Sequence, residues 1–105
     1  MAREKFRTLT EQMFYTLICF REECCGMDIM KKVVKMTCGR VNIGPGTLYN
    51  LIEQFSQEGL ITETATYGRR KSYILTDKGG KALAEEYDRI MKQAEDYRKY
   101  IYADR

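Results

Sequence analysis

Two short runs in this 105-residue chain carry side chains suited to gripping a polyanion. The first is Gly44-Pro45-Gly46-Thr47-Leu48-Tyr49-Asn50. Thr47, Tyr49 and Asn50 can all hydrogen-bond, and the two glycines keep side chains away from what reads as a helix start. Pro45 suits the first helical turn, because its missing N–H would have no partner there and its φ is already helical. Backbone N–H groups at such an end, with the helix dipole behind them, favour a large negative group. The second run is Arg69-Arg70-Lys71, next to Gly68. Guanidinium groups on an exposed turn reach phosphates or a narrow minor groove. Two plain alternatives stand beside these readings: an ordinary core helix behind a Gly-Pro-Gly loop, and a solvated charged face.

Charge is distributed to suit the first reading. The chain holds 18 Lys and Arg against 15 Asp and Glu, a net +3. Residues 77–105 hold seven of each sign, so the whole excess lies in residues 1–76. Between Asp28 and Glu53 there is no acidic residue, while Lys31, Lys32, Lys35 and Arg40 lie there. A local basic surface attracts phosphates.

Other chemistries lack their residues. Histidine is absent, and no Gly-x-Ser-x-Gly turn occurs, so nothing assembles an acid–base pair or an activated nucleophile. The four cysteines, Cys19, Cys24, Cys25 and Cys38, form no Cys-x-x-Cys pair and do not suit a zinc site. They read as reduced thiols, Cys19 facing the core, with redox sensing by Cys24 or Cys25 left open. No catalytic residue, metal or cofactor is expected. No apolar run approaches the ~20 residues that span a bilayer. The charged start, Met1-Ala2-Arg3-Glu4-Lys5, does not read as a signal peptide, so a cytoplasmic location is expected.

The elements that must position these groups follow from periodicity. Leu48, Leu51, Ile52 and Phe55 fall at i, i+3, i+4 and i+7, one apolar stripe of a helix ending near Glu58-Gly59. Residues 8–22 read as a first helix, with capping-box spacing at Thr8 and Glu11. Its apolar face, including Met13 and Phe14, is broader than one small core needs. Residues 27–37 read as a second helix with Ile29, Met30, Val33 and Val34 buried, closed by Gly39. Val41-Asn42-Ile43 reads as a short strand. Residues 60–66 and 71–75 read as a hairpin around Gly68. Thr76 caps a last helix, whose start Gly79 and Gly80 weaken by ~1 kcal/mol each relative to Ala. Beyond them Leu83, Tyr87, Ile90, Ala94, Tyr97 and Ile101 step by 4, 3, 4, 3 and 4, an a/d heptad seam. Such a seam packs either on its own domain or on a second copy.

Helix, helix, short strand, helix, basic-tipped hairpin and long helix is the order of a mainly α winged helix-turn-helix with a small antiparallel β wing and a dimerising arm. The expected division is residues 1–76 for DNA binding and 77–105 for the C-terminal dimerisation helix. At this point the sequence resembles the PadR-like transcriptional regulators. The resemblance rests on Leu9-Thr10-Glu11, Gly39-Arg40-Val41, Gly44-Pro45-Gly46-Thr47-Leu48-Tyr49, Glu58-Gly59-Leu60-Ile61, Gly68-Arg69-Arg70 and Tyr73-Ile74-Leu75-Thr76. It runs from about Leu9 to Leu83, and the single last helix is similar to the short subclass. One departure is Cys25-Gly26-Met27, where the family commonly carries His-Gly-Tyr. The resemblance implies a homodimeric repressor on a palindromic operator, often released when a small hydrophobic aromatic inducer binds. Thr47, Tyr49 and Asn50 then match the recognition helix, and Arg69 and Arg70 the wing. Arg40, Gly46 and Lys71 complete the expected DNA-binding set. Met13, Phe14 and the six seam residues make the expected dimerisation set. The rival is a winged module that binds ligands or proteins without reading DNA, since fold does not fix function.

Overall fold

The computed structural model describes residues 8–102. Three helices carry the core: α1 (Glu11–Cys19), α2 (Gly26–Thr37) and α3 (Pro45–Gln57). Between α1 and α2 lies a two-residue strand, β1 (Cys24–Cys25). After α3 come β2 (Ile61–Tyr67), β3 (Arg70–Leu75) and the long α4 (Asp77–Tyr97), which ends in a wider π-helical turn, Arg98–Tyr102. The charged N-terminal pentapeptide lies outside the described residues.

The α3 stripe is buried as its spacing requires: Leu48, Leu51, Ile52 and Phe55 all enter the core. Full burial of each such side chain stabilises by roughly 1.5–3 kcal/mol. They meet Leu17, Phe20, Ile29, Val33 and Leu60 in a single cluster. Gly26 lets α2 start hard against α3, since a Cβ there would stand 3.0 Å from Ile52 Cδ1. In α2 the buried side is narrower than expected. Ile29 and Val33 are buried and Met30 partly so, but Val34 is 38% exposed and Met36 40%.

Four local features depart from the sequence reading. The first helix is capped by Thr10 rather than by Thr8 with Glu11. Thr10 Oγ1 accepts from Met13 N at 3.1 Å, which places Glu11 first in the helix. The helix also ends at Cys19, short of residue 22. Val41-Asn42-Ile43 is not a strand. Val41 and Ile43 are buried, and Val41 N donates to Thr37 Oγ1 at 3.1 Å, so a side chain satisfies this backbone where a partner strand would. The third strand is Cys24–Cys25 instead, in the order β1-β3-β2. It is antiparallel to β3, with Cys24 opposite Tyr73 and Cys25 opposite Ser72.

The hairpin itself follows the sequence. Tyr67 pairs with Arg70, leaving Gly68-Arg69 as a two-residue loop. Gly68 has φ +62°, the positive value that the first loop position of a type II′ turn demands. The fourth departure is Gly79. It does not weaken α4 but lets it start, because a Cβ there would lie 2.1 Å from the Leu60 carbonyl oxygen. Gly80 has only Leu75 Cδ2 nearby, at 3.9 Å. Gly79→Ala is therefore expected to destabilise by about 2–3 kcal/mol through overpacking. Gly80→Ala should stabilise by about 0.5–1 kcal/mol through helix propensity. Urea unfolding of both variants checks the opposite signs.

Candidate nucleic-acid interface

Wrapped at about 3.6 residues per turn, α3 turns its buried stripe inward and leaves Gly46, Thr47, Tyr49, Asn50 and Glu53 exposed. Gly44 is the N-cap, and among the described residues no side chain hydrogen-bonds the helix start. The wing lies beside this helix. Tyr49 and Glu53 of α3 line one groove, of about 560 Å³, with Glu63, Arg69, Lys71 and Tyr73 of the wing. The expected helix and hairpin residues thus meet on one surface, though not all of them do.

Period-2 alternation divides the basic tip. Lys71 and Arg69 line the groove, but Arg70 turns away and pairs with Asp28 of α2, 3.5 Å apart. Arg40 is elsewhere again. Its guanidinium donates to Tyr15 Oη at 3.4 Å and lies 4.0 Å from Glu11, on α1. Both arginines are more than half exposed, so these solvent-screened pairs are weak and yield readily to a better anion. Lys31, Lys32 and Lys35 form the solvent side of α2, as their spacing indicates.

Among the groove residues absent from the expected set are Glu53, Glu63 and Tyr73. Glu63 and Tyr73 face each other across β2 and β3, and burial raises the Tyr73 phenol above its usual range, with the Glu63 charge adding to it. Helical spacing alone could have found Glu53, one turn beyond Tyr49.

The expected pairing residues behave differently at the two ends of α4. Gly79, Ala82 and Glu86 are buried against the domain, and Leu83 is partly buried on the core. Beyond them the seam is open: Tyr87 is 55% exposed, Ile90 38% and Tyr97 51%, with Ala94 and Ile101 exposed as well. Met13 and Phe14 of α1 pack partly on the core. A second groove, of about 610 Å³, runs between α1 and α4, lined by Phe14, Tyr87, Ile90, Ala94 and Tyr97.

Residues 16–85 match the Transcriptional regulator PadR-like family. The chain belongs to that family. The family is one of regulators of transcription and not of enzymes. The Transcriptional regulator YqjI of Escherichia coli (strain K12) is 26% identical over 70 residues, 67% of this chain and 34% of the relative. The chain thus spans about a third of the length of that curated relative. In structure it is similar to a PadR family transcriptional regulator from Eggerthella lenta DSM 2243, with a TM-score of 0.73 and 23% identity, over 92% of this chain and 82% of the other. It is also similar to Bacillus subtilis PadR in complex with operator DNA, with a TM-score of 0.63 and 23% identity, over 74% and 47%. These likenesses show the PadR winged-helix fold.

The cysteines stay free. Cys19, Cys24 and Cys25 are buried, and Cys38 is exposed at the left-handed end of α2, where φ is 52°. Gly39 follows with φ +81°. Burial pushes the Cys19 and Cys24 thiols up, away from the reactive thiolate. Among the described residues no group of three or more acidic, cysteine or histidine side chains is placed to hold a metal, and no helix is long and apolar enough to cross a membrane. A disulfide-exchange reagent should label one thiol per native chain, Cys38, and the other three only after unfolding. Fast native labelling of Cys24 or Cys25 would restore redox sensing.

Proposed function

We propose that this chain is a cytoplasmic, homodimeric, sequence-specific DNA-binding regulator that represses transcription by occluding a promoter. The division of labour is the expected one, with residues 1–76 holding the duplex and residues 77–105 pairing the subunits; residues 1–7 and 103–105 lie outside the described residues. The observation that carries this reading is the groove shared by the exposed face of α3 and the wing cations Arg69 and Lys71. Protein side chains there are presented to a ligand with negative charge on its rim and hydrogen-bonding groups in its trough. Duplex DNA has that form, and α3 is of a size to enter its major groove.

In this reading Tyr49 and Asn50 reach base edges or phosphates. Thr47, Gly46 and the uncovered start of α3 favour phosphate. Arg69 and Lys71 supply the salt-dependent grip, joined by Arg70 and Arg40 once they leave Asp28 and Glu11. Pairing through the open seam of α4, helped by Met13 and Phe14, sets the two reading helices about 34 Å apart, one duplex turn, on a palindromic operator. A small aromatic inducer acts by binding one arrangement of the arms better than the other. The α1–α4 groove offers it the rings of Phe14, Tyr15, Tyr87 and Tyr97, in a chain without tryptophan.

Two measurements test this. Binding to the protein's own upstream DNA should show a log–log salt slope of about −7, if each subunit neutralises about four phosphates. Arg69→Ala with Lys71→Ala should reduce that slope to about −4 and leave the fold intact, because both side chains are exposed. An unchanged slope rules out the wing. In sedimentation the wild type should be a dimer, and Ile90→Asp with Ala94→Asp a monomer. A monomeric wild type at micromolar concentration removes the arm from the reading.

A further inference from the structure

The exposed face of α3 has a centre, shared by Gly46, Asn50, Glu53 and Gln57; in mid-helix, Asn50 and Glu53 stand on either side of it. At about 100° per residue, the line opposite the buried Leu48, Leu51, Ile52 and Phe55 passes between Asn50 and Glu53, about 60° apart. Tyr49 and Thr47 flank that face rather than lead it. Asn50 and Glu53 are also separated by about 4.5 Å along the helix axis, close to the 3.4 Å step between bases. A trough that α3 enters by its N-terminal half meets these two side chains, with Gln57 one turn further on.

Glu53 stands out by its sign. No acidic residue precedes it on α3, and it is exposed with no hydrogen bond or ion pair among the described residues. It shares its groove with Arg69 and Lys71 yet pairs with neither. Glu63 in the same groove is engaged, accepting a hydrogen bond from Thr66 Oγ1 at 2.5 Å. A free carboxylate at the centre of a DNA-facing helix weakens every phosphate contact near it. It gains only from a donor, because a carboxylate can only accept. In the major groove the donors are the amines of cytosine and adenine, N4 and N6. Adenine sets its N7 acceptor beside the amine, so the second carboxylate oxygen meets a lone pair. Guanine and thymine present acceptors. Cytosine alone offers an amine with no acceptor beside it on its own major-groove edge.

We infer that Glu53 is a base-reading residue that selects cytosine at one position of each half-site, through its carboxylate and the cytosine N4 amine, next to the base read by Asn50. This rests on the DNA-binding reading above and assigns within it the residue that trades affinity for selectivity.

The test is site selection from a randomised duplex library by the full chain and by Glu53→Ala and Glu53→Gln, followed by titration of single-base variants of the selected site. The wild type should prefer cytosine at one position per half-site by about tenfold or more. E53A should lose that preference at that position alone and bind unrelated duplex several-fold more tightly. E53Q should move the preference toward adenine, which Gln contacts at N6 and N7. Glu53 makes no contact that folding needs, and circular dichroism verifies both variants. A wild type and E53A that select the same site with equal preferences overturn this inference and leave the regulator standing. A wild type that binds DNA but selects no sequence overturns both.

Discussion

The Thr76 hydroxyl joins the end of one helix to the start of another. It donates to the Gly59 carbonyl at 2.6 Å and accepts from Gly79 N at 3.0 Å. Thr76 N donates to the Leu60 carbonyl at 3.0 Å. Each bond is worth about 1 kcal/mol net, but together they close a small knot of backbone. Gly79 completes it, since only a residue without Cβ lets α4 pass so close to Leu60. Gly59 lies two residues past the end of α3, and Asp77 opens α4. The direction of the long helix is therefore fixed against the helix with the hydrogen-bonding face. An arm set by a loose loop would not carry that relation.

What leaves the knot is two surfaces with opposite needs. The outward face of α3 is polar and content in water. The outer half of α4 is not. Past the buried Glu86, whose carboxylate is held by Arg89 Nε at 3.1 Å, the helix carries Tyr87, Ile90, Met91 and Tyr97 into solvent. A monomer rarely leaves so many large apolar groups contiguous and open. The molecule extends 58 × 34 × 21 Å, and its radius of gyration is 15.4 Å, where a compact chain of this length would have about 13 Å. The excess length is the arm. Pairing of two arms would bury that apolar surface, and the Thr76 knot would then set how far apart two α3 helices stand.

Much of this was legible because it rests on periodicity and on single strong residues. The α3 stripe, the long last helix, the Gly68 hairpin and the Thr76 cap each follow from local spacing or one steric demand. The misread parts depend on distant partners. Cys24-Cys25 has no alternation to mark it, and it is a strand only because β3 lies alongside. Val41 and Ile43 look like strand residues but have no strand to meet, and the Thr37 hydroxyl takes the Val41 amide instead. Gly79 looks like a weak helix start until the Leu60 carbonyl is placed beside it. At the candidate interface, residue types identified the cations but not their facing. Alternation sends Arg70 to Asp28, and Arg40 is held from α1. Both pairings cross from one element to another, beyond the reach of local pattern.

Those pairings, with Glu53 and Glu63 in the groove, bear on how a chain of net charge +3 would bind a polyanion. A surface built for affinity alone would gather its cations and exclude carboxylates, since phosphate contacts dominate affinity without reporting sequence. Here each of these cations, in the groove or outside it, has an acid nearby: Asp28 for Arg70, Glu11 for Arg40, Glu53 and Glu63 for Arg69 and Lys71. In the proposed complex each acid would weaken indiscriminate binding. The exposed pairs are weak enough for a correctly placed phosphate to displace, whereas a misplaced one leaves the carboxylate unrelieved. Discrimination is a difference between affinities and can be raised by penalising the wrong partner. In the proposed complex the mixed signs around α3 would act in that direction, because binding would become favourable only where several contacts are met at once.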